Sequence, residues 1–449
     1  MDKELQEKRY TQLTTEPIGG LLCKMAVPTV IGMLVTTIYS MTDTFWVSRL
    51  QDTVLTAAVG IAFAFLSVIQ AAGYLFGYGS GNYIARMLGK KEEREASQMA
   101  ATAFFLSVAV GIIIMIAGLF YIRPLIRLLG GGTSGSMMEA CREYLRIILF
   151  GVPFSLGGTT LYNQLRLQGN AKDGMNGMMS GMLLNMVLDP ILIVCLGMGI
   201  GGAGWATFCG QVCSFAVLWA LTFRHGNVPV SYRSIHMEKR YFYEIFAGGA
   251  PNFGRQGISS LAAVLLNLAA GCFGESMIAA FTIAGRISMV GFAVVIGFGQ
   301  GFQPICGYNY GAGLYDRVKK AFHICVRFST VFLIVLAVLL WILAKILMQC
   351  FTRQEDVIAA GVRILRSQCI SAPFLGYYTI VGMLLQNIRK FFQAILVTTA
   401  RQGIFFIPFL LILYWCLGEW GVIIAQPAAD ICAFLLTLPL GCRVLRELS

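Results

Sequence analysis

The chain has 449 residues, 57% of them hydrophobic and only 12% charged, with a mean hydropathy of +0.72. About twenty apolar residues cross a ~30 Å hydrocarbon core, and removing the runs of that length leaves no stretch polar enough for a water-soluble domain. The net charge of +12 is spread in twos to fours between apolar runs, not on a basic face with aromatic platforms. That excludes nucleic acid as a partner and points to orientation in a bilayer.

In chain order, residues 1–20 form a polar N-terminal segment of mixed charge, with no short apolar core and no small-residue cleavage site, so no signal peptide is expected. Apolar runs then predict spans at 21–47, 54–77, 97–120, 140–161, 174–196 and 200–223. A polar linker follows at 224–240. Six further spans are predicted at 243–272, 277–296, 321–346, 357–385, 392–413 and 420–440, followed by a tail at 443–449. The fold class expected is an all-α integral membrane protein with twelve transmembrane helices, divided into lobes at 21–223 and 241–442. The 13 cysteines are scattered through apolar runs, with Cys209 and Cys213 in one span, and the three histidines, His225, His236 and His323, fall at rims. No disulfide framework, metal centre or cofactor is expected.

The lobes match each other. Pro28 and Pro251 lie 223 residues apart, Glu93-Arg94 and Asp316-Arg317 repeat at the same offset, and Pro153-Phe154 returns at 220 as Pro373-Phe374. Three such pairs at corresponding places argue for an internal duplication. Because an even number of spans separates the copies, they share one orientation and are expected to be related by a pseudo-two-fold axis along the membrane normal. Roughly twenty basic residues gather on the loops of one side against about four on the other, so both termini and the linker are expected to face the cytoplasm of a cell (inner) membrane.

Three carboxylates fall well inside predicted spans: Asp43, Asp189 and Asp430. Each costs about 2.5–3.5 kcal/mol on insertion scales and needs a reason, of which the plainest is a satisfied bond between helices. Asn185 precedes Asp189 by four residues and shares its helix face, and Tyr39 stands likewise to Asp43. A hairpin turning near Met198 returns Thr207 to the depth of Asp189, and Asp43 lies about 10 Å below the outer end of its helix. Two neighbouring carboxylates in low dielectric cannot both stay ionised without a counter-charge, so such a pair suits a proton, Na+ or an organic cation. Competition between ion and cationic substrate for the same oxygens gives exchange. Pro28 and Pro190 remove backbone donors and mark either fixed kinks or hinges.

The second lobe lacks a counterpart of Asp43, because the matching position is Leu266. It carries Arg255, Arg286 and Arg401 inside spans, with Asp430 as partner, and reads best as a structural ion network, since excess arginine repels a cation.

The string Tyr39-Ser-Met-Thr-Asp43-Thr-Phe-Trp-Val-Ser-Arg49, the loop at Gly169-Asn170-Ala171-Lys172, Leu184-Asn185 leading to Asp189-Pro190, and Gly201-Gly-Ala-Gly-Trp-Ala-Thr207 together resemble multidrug and toxic compound extrusion (MATE) transporters over the whole chain. The resemblance implies a V-shaped pair of six-helix bundles that exports organic cations or drugs in exchange for H+ or Na+. It maps the family's first-bundle site onto Tyr39, Asp43, Asn185, Asp189 and Thr207, with Asn163 added. The second half is similar to the DinF and MepA branch. Where the best-known sodium-coupled branch has a seventh-helix glutamate, this chain has Asn252, Arg255, Gln256 and Asn267. The expected protein is a monomeric secondary antiporter, not an enzyme. The alternative is a flippase for lipid-linked oligosaccharide or another metabolite, which would want a basic central cavity and often extra helices; two acids in the first half and only twelve spans disfavour it.

Overall fold

In a computed structural model, residues 3–48, 53–131, 134–224 and 226–448 are described, except for the side chains at 3, 40, 41, 43–45, 47, 48, 53, 56 and 57. All regular structure among the described residues is helical. In order come α1 (Lys3–Thr15), α2 (Ile18–Ser48), α3 (Thr53–Gly89), α4 (Glu93–Phe120), the short α5 (Ile122–Leu128), α6 (Gly135–Leu167) and α7 (Ala171–Pro190), which runs into a π-helical turn, Ile191–Cys195. Then follow α8 (Gly199–Thr222), a 3-10 turn at Tyr232–Ser234, α9 (Lys239–Gly271), α10 (Glu275–Gly311), α11 (Tyr315–Phe351) and α12 (Glu355–Asn387). The last elements are α13 (Phe391–Thr399), a π-helical stretch Ala400–Phe406, α14 (Ile407–Leu417) and α15 (Glu419–Glu447). Among the described residues, 11 helical runs are long and apolar enough to span a membrane. Helix α9, 33 residues long, is the twelfth, more polar because it includes Lys239, Arg240, Glu244 and Arg255.

Two helices run far beyond the sequence expectation, at the same place in the two repeats. The glycine-rich ends of the second and eighth predicted spans read as punctuation, yet α3 continues past residue 77 to Gly89 and α10 past residue 296 to Gly311. The glycines are packing surfaces. A Cβ on Gly79 would stand 2.1 Å from the Ile245 carbonyl oxygen and one on Gly249 1.9 Å from that of Leu75, so α3 and α9 touch backbone to backbone. On α10, Gly297 and Gly301 leave the same room for Val30 and Ala26 of α2, with Cα atoms 2.7 and 2.6 Å from the positions a Cβ would take. The Thr29 hydroxyl donates to the Gly297 carbonyl there at 2.6 Å. Burial of both helix faces outweighs the ~1 kcal/mol that each mid-helix glycine costs.

These contacts decide how the chain divides. One compact unit comprises the chain up to Thr15 with Leu34–Phe253, and the other comprises Glu16–Met33 with everything from Gly254 onward. Helices α2 and α9 therefore each contribute one half to each unit. Within the first unit α6 is central, packed on α3, α4, α7 and α8, and within the second α12 holds the equivalent place against α10, α11, α13 and α15.

In the first unit the basic end is tied by polar contacts. Helix α1 lies within the segment read only as polar: Leu13 is fully buried beside Gly169, and Arg9 donates to the Gly226 carbonyl and Asn227 Oδ1 at 2.9 and 3.0 Å. Asn170 caps α7 by accepting from the Asp173 amide, and buried Asp173 accepts from Arg224 at 2.8 Å. The repeat extends to the helix ends. The α6 and α12 termini close alike, with Asn170 N–H on the Leu165 carbonyl and Lys390 N–H on that of Leu385. Gly169 (φ 84°) is left-handed in one and Arg389 (φ 65°) in the other. Likewise Lys91 (φ 64°) after α3 corresponds to Gly313 (φ 74°) after α10.

Candidate functional site

The first-unit site is built on the α7–α8 hairpin. A Cβ on Gly181 would lie 2.3 Å from the Gly210 carbonyl oxygen, so these helices also meet at backbone distance. Just beyond this contact Asn185 Nδ2 donates to Thr207 Oγ1 at 3.4 Å. Asn185, Thr207 and Asp189 are 2%, 6% and 1% exposed, so an amide, a hydroxyl and a carboxylate share one enclosed layer. Among the described residues Asn185 Oδ1 has no hydrogen-bond partner. A buried acceptor in that state carries a penalty of about 1–3 kcal/mol unless a donor or cation meets it. The hairpin reasoning from sequence accounts for the pairing, since Thr207 comes back to within a turn of Asp189.

Helix α2 joins the layer through a contact that sequence reading missed. The Thr36 hydroxyl donates to Met182 Sδ at 3.8 Å. Thr36 and Tyr39 lie on one face of α2, and Met182, Asn185 and Asp189 on one face of α7, at spacings of three and four. The two helices run in the same direction, so from this contact half-buried Tyr39 comes level with Asn185, and position 43 falls level with Asp189. Asp43 is on α2, and its side chain lies outside the described residues.

Asn163 belongs elsewhere. It is fully buried on α6, donating to the Thr159 carbonyl at 2.9 Å and accepting from Arg166 at 3.0 Å. It sits four residues from the end of α6, whereas Asn185 is fourteen from the start of the antiparallel α7, which separates them by about 15 Å along the bundle. Pro190 closes the α-helical part of α7 at φ −61°, and the π-helical turn begins at once. Its missing N–H breaks the ladder one residue past Asp189. Pro28 lies inside α2 beside the Thr29–Gly297 bond, in the part of the helix that belongs to the second unit.

The second unit has its own buried polar cluster. Asp430, 3% exposed, accepts from Arg401 Nε at 2.7 Å, Gln426 Nε2 at 2.7 Å and Ser371 Oγ at 2.8 Å. Arg401 also stacks over Phe292, 5.3 Å from the ring centre. Tyr378, whose hydroxyl donates to the Thr398 carbonyl at 3.0 Å, lies within electrostatic reach of Arg401, Arg255 and Asp430. Among the described residues neither Arg255 nor the exposed Arg286 forms an ion pair. Ser371, Gln426 and Tyr378 carry no sequence signal, because polar residues on different spans are matched only by packing.

The sequence profile of the MatE family matches residues 28–191 and 251–412, one copy in each repeat. The chain is 23% identical to multidrug export protein MepA of Staphylococcus aureus (strain MSSA476) over 461 aligned positions, 99% of both chains. It is 25% identical to MepA of Staphylococcus haemolyticus (strain JCSC1435), over 96% of this chain and 95% of that one. A solved outward-facing conformation of a multidrug resistance MATE family transporter superposes with a TM-score of 0.91 at 26% identity, covering 98% of each chain. With two profile matches spanning most of its length and a full-length structural counterpart, the chain belongs to the MatE family of membrane transporters.

Proposed function

We propose that the chain exports organic cations and drugs by antiport with H+ or Na+, the coupling ion being held by the carboxylates of Asp43 and Asp189 with Asn185, Thr207 and Tyr39. The observation that carries the reading is the enclosed Asn185–Thr207 pair, with its unanswered amide oxygen, beside a carboxylate that is 1% exposed. Oxygen ligands of this kind suit a proton or a hard cation. The likeness to MepA exporters supports the multidrug part.

In this mechanism the loaded ion neutralises the carboxylates, and the drug cation loses its counter-charge and leaves. The missing donors at Pro28 and Pro190 lower the cost of bending α2 and α7. Both termini face the cytoplasm, in line with the basic loops. Efflux of ethidium from energised, exporter-deficient cells tests the reading at matched expression. Wild type should extrude the dye, while Asp43→Asn and Asp189→Asn should each abolish extrusion. Normal export by both variants would sink the carboxylate mechanism.

A further inference from the structure

The second-unit cluster is not charge-balanced. Both oxygens of Asp430 accept hydrogen bonds, and only one of the three comes from a guanidinium. Arg401 spends its Nε on that carboxylate, and its two Nη groups have no hydrogen-bond partner among the described residues. Arg255 stands alongside. Gly254 meets Thr399, Ile258 packs on Gly403, and Ser259 is hydrogen-bonded to Gln402, so Arg255 and Arg401 occupy neighbouring turns of two touching helices. Both bear electrostatically on the same Tyr378 hydroxyl. Arg255 is at the midpoint of α9, and Arg401 lies ten residues into the run that starts at Phe391. A purely structural network at such depth would pair each cation, since a lone charge inside a membrane is costly. Here two guanidiniums stand near one carboxylate, and only Arg401 is paired with it. The π-helical stretch Ala400–Phe406 that presents Arg401 is a distortion that recurs at binding sites.

We infer that Arg255 and the open fork of Arg401, with the Tyr378 ring beside them, form an oxyanion site that takes the carboxylate of a zwitterionic substrate. The planar guanidinium fork matches a carboxylate in a two-bond geometry. This deepens the export reading, on which the word substrate rests, by adding to the cation site of the first unit a second site of opposite sign. Compounds carrying both a cation and a carboxylate would then be substrates as well as simple cations.

Rhodamine B and its ethyl ester share one cationic chromophore and differ only in the free carboxylate, which makes them the probes. Fluorescence polarisation of each dye with the purified full-length chain in detergent gives the acid-to-ester affinity ratio. Wild type should bind the acid more tightly than the ester. The ratio should fall at least fivefold in Arg255→Gln and be largely kept in Arg255→Lys. An unchanged ratio in Arg255→Gln, or a wild type that prefers the ester or fails to bind the acid, overturns the proposal, and the wild-type arm decides even if the variant misfolds. Displacement of the acid by phosphatidylglycerol but not phosphatidylcholine, with the ester unaffected, would give the guanidiniums to a lipid headgroup and overturn the substrate assignment. The assay needs no ion gradient. Charge-selective binding without ethidium efflux in cells would therefore sink the transport reading alone, and efflux without such binding would sink only the oxyanion site.

Discussion

Arg86 Nη2 and Glu244 Oε2 lie 2.6 Å apart, with side chains 3% and 1% exposed, in an ion pair that joins α3 to the first half of α9. Around it Tyr83 donates to Glu95 at 2.5 Å, Arg240 pairs with Glu95 at 3.3 Å and Tyr241 donates to Gln98 at 2.9 Å. The polar half of α9 is thus held to the first unit, while its apolar half packs in the second. Removing one partner of a buried pair strands the other charge, at about 3–5 kcal/mol. Glu244→Ala should therefore lower the thermal unfolding midpoint in detergent by several degrees. Arg86→Met combined with Glu244→Leu should recover most of the loss, since apolar replacement of both partners removes the stranded charge. A double variant no better than the single one would show that the pair contributes more than it costs to desolvate.

The backbone contact of α3 and α9 makes Gly249 intolerant. With the Leu75 carbonyl oxygen 1.9 Å from any Cβ, Gly249→Ala forces the helices apart, and overpacking of this kind costs about 1–3 kcal/mol. Gly257, two turns further along the same helix, has nothing within 4 Å of its would-be Cβ. Gly257→Ala should be neutral, or stabilising by up to ~1 kcal/mol through helix propensity. Unfolding curves of the two variants side by side make the comparison, and equal shifts would mean that the contact is not maintained in the membrane protein.

Left-handed helix ends give a paired prediction. Gly313→Ala meets no atom within 4 Å, yet its φ of 74° should cost about 1 kcal/mol from the backbone alone. Arg389→Gly, at φ 65°, should gain up to a similar amount, less whatever its side-chain partner supplied. The same calorimetric or fluorescence scan reads both, and shifts of the same sign would contradict the argument.

Thr207→Val keeps the shape of the side chain and removes the hydroxyl that accepts from Asn185. A single neutral hydrogen bond is worth about 0.5–1.5 kcal/mol net, so the unfolding midpoint should move only slightly. Ethidium efflux should fall several-fold if this oxygen helps hold the coupling ion. Unaltered transport with an unaltered midpoint would remove Thr207 from the ion site.

Much of this protein was legible along the chain because hydrocarbon leaves the backbone few options: each span must satisfy its own amides, so apolar length alone marks the helices. The duplication, the depth of Asp189 and the return of Thr207 follow from counting residues. Contacts between distant segments could not be read that way. Nothing in the sequence tells that Gly79 and Gly249 are seats for a neighbouring backbone and not helix ends, nor that Arg86 finds Glu244 158 positions away. Asn163 looked like a companion of Asn185, but packing gives it to Arg166, near the opposite end of α6. The arginines of the second half were visible as charges in spans. Which of them Asp430 neutralises was decided only when α9, α12, α15 and the π-helical stretch came together, because compensation of a buried charge is set by distance in space and not along the chain.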